Sequence, residues 1–130
     1  MLAEGVNITI GNRELLLVLN TEALAQIAER YGDTEKAIAA AEENYAATIR
    51  IIPDLVALLA TQGEAVKGTD EIITPQFISR FTMPRDFTAL KNAFLQAYAI
   101  GMNIEYKPAD EDTDVVLSEI QKNAVSAARN

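Results

Sequence analysis

Apolar and polar residues alternate over residues 6–10, where Asn7 and Thr9 separate Val6, Ile8 and Ile10. A period of two puts each set on its own face of a strand, so this stretch predicts a half-buried β-strand. Gly11-Asn12 follow, two residues that tolerate positive φ, and residues 13–19 are strongly apolar again. Together they predict a β-hairpin over residues 6–19 closed by a tight turn. A lone hairpin is marginal in water, so it must pack on the rest of the chain or pair through an edge.

Past residue 20 the apolar period lengthens to three and four. Leu24, Ile27, Ala28 and Tyr31 mark one face of a helix that Asn20 or Thr21 caps and Gly32 ends. Asp33 or Thr34 opens a second helix with Glu35 in its first turn. Its run Ala37-Ile38-Ala39-Ala40-Ala41 joins high helix propensity to small side chains, which let helices approach closely. Over residues 44–61 a third stripe runs through Tyr45, Ile49, Ile52, Val56 and Leu59. Pro53 lacks an amide hydrogen and disfavours helix at Ile52, so a kink or a division is expected there.

Residues 55–60 are apolar on every side, which suits either central core or a contact surface. Residues 63–73 hold Gly63, Gly68 and Asp70 and read mostly as loop. Two helix starts come next, Thr74-Pro75 and then Thr82 or Met83 before Pro84. The first opens a short helix through Phe77, Ile78 and Phe81. The second leads a longer one through Phe87, Leu90, Phe94, Ala97 and Tyr98, ending near Gly101. Residues 108–112 break the pattern. Residues 115–128 predict a last helix with Val116, Ile120 and Ala124 on one side, either docked on the body or free of it.

The expectation is a mainly α fold of the α+β class, an N-terminal β-hairpin followed by a bundle of about five to six short helices. Residues 1–108 are expected to form one globular domain, with the hairpin at 6–19 and the helices within 21–102. Residues 109–130 form an acidic linker and a C-terminal helix. A chain of 130 residues is one domain in size. With 49% apolar residues it can bury a core without a metal or a staple.

Composition then removes most chemistry. Without Cys there are no disulfides, thiolates or ordinary structural zinc sites, and without His the commonest proton shuttle and metal ligand is gone. Ser-His and Cys-His nucleophile pairs cannot form within the chain. The net charge of -8 repels phosphate backbones and anionic lipid, so neither nucleic acid nor membrane is an expected partner. Met1-Leu2-Ala3-Glu4-Gly5 has no basic region and no apolar stretch, so a signal peptide is not expected. No apolar run approaches the roughly 20 residues that cross a bilayer, and the expected location is the cytoplasm.

Local motifs add little. Residues 63–69 resemble the opening of a phosphate loop, but Thr69-Asp70 stand where Lys and then Ser or Thr must follow the second Gly. Asp110, Asp112 and Asp114 match the first, third and fifth positions of a calcium loop. Val115 then replaces the turn glycine and Gln121 the bidentate Glu, so a solvated acidic linker is the better reading. No carboxylate pair is singled out among the 19 acidic residues. Arg80, Arg85 and Lys91 make the only local basic cluster, thinner than a DNA-reading helix carries, and read as partners for tertiary ion pairs. No catalytic residue, cofactor or metal is expected, and the chain is not expected to be an enzyme. What stands out is the apolar surplus: residues 55–60 and the face Phe77, Phe81, Phe87 and Phe94. Each residue singly suits the core, yet collectively they can leave an exposed patch of the kind that marks a partner site.

The hairpin at residues 6–19 and a helix over residues 24–32 ending in Glu29-Arg30-Tyr31-Gly32 come first in a telling order. The apolar helix Ile51-Ile52-Pro53-Asp54-Leu55-Val56-Ala57-Leu58-Leu59 and a closing helix over residues 87–102 complete it. This order resembles the tail assembly chaperones of long-tailed bacteriophages and prophages, over roughly residues 6–102. The acidic linker and last helix have no counterpart in the resemblance.

The resemblance implies a binder of the tape-measure protein, a very long helical chain whose apolar faces stay exposed until tube subunits polymerise around it. Such a chaperone covers those faces by helix-in-groove packing, and its negative charge keeps the complex soluble. It works in the host cytoplasm and is not expected in the mature virion. Another phage tail protein is an alternative partner, and a homo-oligomer through the hairpin edge a further expectation. The apolar pattern nominates Leu55, Val56, Leu58, Leu59, Phe77 and Phe81 as contact residues. The rival readings are a structural tail or head-tail connector subunit, and a small regulator that binds DNA or protein.

Overall fold

The computed structural model describes residues 4–105. Two antiparallel strands, β1 (Val6–Ile10) and β2 (Arg13–Leu17), form the hairpin. Gly11 takes φ 63° and Asn12 does not turn positive, so the left-handed step falls on the first central residue alone, the pattern of a type II′ turn. Ile10, Leu15 and Leu17 are buried on one face, while Asn7, Thr9 and Glu14 lie on the other.

Five α-helices follow among the described residues: α1 (Thr21–Tyr31), α2 (Thr34–Ala41), α3 (Tyr45–Val66), α4 (Pro75–Arg80) and α5 (Phe87–Met102). The protein is thus mainly helical with an N-terminal hairpin. Side-chain oxygens cap four of the helix starts. Asn20, Asp33, Asn44 and Thr74 accept from the amides of Ala23, Lys36, Ala47 and Phe77 at 2.9, 2.7, 2.8 and 3.1 Å. Each cap replaces one hydrogen bond that the first turn cannot make for itself, worth about 1 kcal/mol.

α3 is the hub: β2, α1, α2, α4 and α5 all pack on it. Ile52, Leu55, Val56 and Leu59 are sealed against Leu15 and Leu17 of the hairpin, Ile27 of α1, Ile78 of α4 and Phe94 of α5. Small residues Ala37 and Ala41 bring α2 against this hub, as their size suggests. In α1 the buried residues are Ala23 and Ile27, flanked by half-buried Leu24 and Tyr31; Ala28 is exposed.

Two expectations about α3 are corrected. Pro53 does not divide it, for one 22-residue helix runs through that position. The ring is fully buried, and next to it Asp54 accepts from the Tyr31 hydroxyl at 2.6 Å and pairs with Arg30. Tertiary packing thus outweighs the single ladder hydrogen bond that proline removes. Nor do residues 63–66 belong to a loop. A Cβ on Gly63 would stand 1.7 Å from the Leu16 carbonyl oxygen, so glycine serves here to seat the helix directly on the backbone of β2. The true stop is Gly68, at φ 100°, where Thr69 N–H reaches Glu64 O and Gly68 N–H reaches Ala65 O in a Schellman closure.

The second proline start also differs from expectation. Pro84–Asp86 form a single 3₁₀ turn and α5 begins only at Phe87. The predicted helix over residues 115–128, the linker before it and Asp110, Asp112 and Asp114 lie outside the described residues.

Candidate docking surface

The two proline starts shape an open part of the apolar surface. Thr74 and Pro75 start α4, which lasts six residues, and Pro84 forces a new start. Residues 81–83 must bridge the two in non-helical conformation. Ile78 on α4 reaches the core, but the bridge lies too far out to bury both of its sides. Phe81 stays 53% exposed and Met83 42% exposed. Phe81 leans on half-buried Phe77, ring centroids 5.1 Å apart and tilted by 44°, and its other side meets the hairpin turn at Gly11. The two rings therefore form an aromatic ridge with Phe81 at its exposed end.

A groove runs along each side of that ridge. The first, of 390 Å³, lies between β1 and the start of α5, with Ile8, Ile10 and Phe81 facing Ala89 and Leu90. The second, of 230 Å³, lies between α3 and the bridge. Its base is Pro53 and Phe87, both buried, and its walls are Tyr45, Ile49 and Pro84. Ile49 is itself 37% exposed, so the apolar surface continues from the ridge onto α3. Thr82 lines both grooves, and its buried hydroxyl has no hydrogen-bond partner among the described residues.

The nominated contact residues separate into two groups. Leu55, Val56, Leu58 and Leu59 are between 0% and 6% exposed, which makes them core and overturns their nomination as a contact surface. The physical reason is the position of α3: a helix surrounded by five elements needs apolar residues on every side. Phe77 and Phe81, by contrast, sit together on the ridge. Ile49, Met83, Pro84 and Thr82 complete the surface and were missed. Ile49 belonged to a stripe that otherwise is buried or half-buried, and Met83 and Thr82 lie where the period breaks.

Charged groups elsewhere serve the fold. Arg13 makes a two-pronged bond to Glu71, both contacts 2.5 Å, and lies 3.3 Å from the buried carboxylate of Glu64. The hydrogen bonds from Arg13 hold the Glu71 carboxyl below its usual range. The residues compared above to a phosphate loop are therefore a helix end, with Glu64 accepting from the Thr69 hydroxyl at 2.9 Å and pairing with Lys67. Burial, and then the hydrogen bond to Asp54, push the Tyr31 hydroxyl well above the ordinary tyrosine value. Lys91 turns inward to Glu42 at 3.5 Å, while Arg80 and Arg85 are exposed, so these three cations do not form one patch. Among the described residues no three acidic side chains converge as a metal site, and no helix is long and apolar enough to cross a membrane.

No protein-family model, no curated protein and no solved structure matches this chain.

Proposed function

We propose that this protein is a phage tail assembly chaperone that binds apolar helical segments of a tape-measure protein before the tail tube polymerises. One observation carries the reading. In a fold whose central helix is buried along residues 55–60, an aromatic ridge remains exposed beside a groove with an apolar base. A client helix laid along the second groove sets residues spaced three and four apart against Ile49, Pro84 and Phe87. Arg50 lines the same groove and meets the acidic residues of an amphipathic client. The net charge of -8 keeps the loaded complex dispersed. The resemblance in the order of elements supplies the client's identity.

The test is co-expression with a tape-measure protein, followed by affinity purification. Co-purification with the native chain and its loss with Ile49→Asp support the reading, provided that the variant unfolds at the native temperature. Mass spectrometry of purified virions gives a second check. A chaperone is absent from mature particles, and a fixed copy number there would replace this reading with a connector subunit.

A further inference from the structure

The first groove differs from the second because one of its walls is a strand edge. In a two-residue hairpin the closing pair, here Ile10 and Arg13, exchanges hydrogen bonds, and such pairs alternate with non-bonded ones. Ile8 with Leu15 and Val6 with Leu17 are the other bonded pairs in this register. Asn7 and Thr9 therefore aim their N–H and C=O groups away from β2. Among the described residues the sheet has two strands, and no other backbone or side chain bonds these groups. The edge also lacks the devices that usually blunt one, for residues 6–10 include no charge and no proline.

We propose that β1 accepts an extended peptide strand in this groove, from a partner segment with alternating apolar residues and a Lys or Arg. The alternation follows from the pleat. Side chains opposite Ile8 fall on its face of the sheet, toward Ala89 and Leu90, while those opposite Asn7 and Thr9 face solvent. The basic residue follows from charge. Asp86 is exposed on the groove wall, and no cation is among the lining residues. Charge also argues against a second copy as the occupant, because pairing β1 with itself brings together two chains of charge -8 with like carboxylates at the groove. This site shares only Thr82 with the helix-binding groove, and either can fail without the other.

The probe is a seven-residue peptide alternating valine and threonine and ending in lysine, titrated into the isotope-labelled full chain. The expected result is that the amides of Asn7 and Thr9 shift and exchange more slowly, while those around Ile49 do not respond. Thr9→Pro removes an edge donor that β2 does not use, and should weaken binding about tenfold. Should that variant misfold, a peptide N-methylated on its edge-facing amides, added to the native chain, should fail to bind. Asp86→Asn should weaken binding about threefold at low salt, with the difference fading in 0.5 M salt. A scrambled peptide of equal charge that binds as well would overturn the proposal. So would shifts confined to the second groove, or protection of Asn7 and Thr9 without peptide that disappears on dilution, which is self-pairing.

Discussion

Residues 55–60 are apolar throughout, and residues 77–83 hold Phe77, Ile78, Phe81 and Met83 among polar neighbours, yet the large apolar side chains of the first stretch are the most enclosed in the molecule and two of the second are among the most open. What surrounds these apolar side chains differs more than what they are. α3 is long enough to collect the hairpin and the other four helices, so along residues 55–60 each of its sides faces a neighbour. Residues 77–83 lie on a six-residue helix and the bridge behind it, at the margin of the same core. Only Ile78 reaches inward completely. Apolar content alone thus predicts burial of a stretch, whereas its place in the contact order of elements decides which apolar atoms remain outside.

This contrast can be broken most forcefully at the centre. Leu59→Ala, at a site with no exposure, is expected to cost about 2–5 kcal/mol in denaturant unfolding, with client affinity per folded molecule unchanged. A loss of affinity without loss of stability would return residues 55–60 to the surface. Gly63→Ala should cost about 3 kcal/mol, since the new methyl meets the backbone of β2 and neither side can yield cheaply. If its unfolding midpoint matches the native one, the close seating of α3 on β2 is wrong.

Phe81→Ser should behave in the opposite way to Leu59→Ala. It removes an exposed ring and one aromatic contact, so stability falls by about 1 kcal/mol, while client binding by calorimetry falls tenfold or more. Equal affinity would leave the ridge without a role.

Two smaller effects concern the clamps around the core. The Tyr31 hydroxyl is held protonated by burial and by Asp54, so its contribution is present below the unfolded tyrosine pKa of about 10. It is lost as pH rises through the higher folded value. Unfolding followed above pH 10 should show that decline in the native chain and a shallower one in Tyr31→Phe. Glu71 has the reverse sign. Its lowered pKa contributes above the unfolded value and fades as pH falls through the folded one, so Glu71→Gln should flatten only the acid limb. The carboxylate is exposed, which makes this the weakest of the effects.

Local chemistry in the sequence determined the elements. Alternation gave the first strand and an apolar run the second, Gly11-Asn12 the turn, Asn20, Asp33, Asn44 and Thr74 the helix starts, and the prolines at 75 and 84 the breaks, because each acts over a few bonds. The aromatic pair Phe77–Phe81 was also within reach of pattern alone. Tertiary structure decided the rest. That α3 runs unbroken through Pro53 and on past Gly63 depends on a buried ring and on a strand lying against the helix. Which apolar residues form grooves depends on Ile49 and Phe87 meeting from elements 38 positions apart in the chain, and on β1 keeping one edge unpaired. Such placements are set by packing between distant segments, and no local period encodes them.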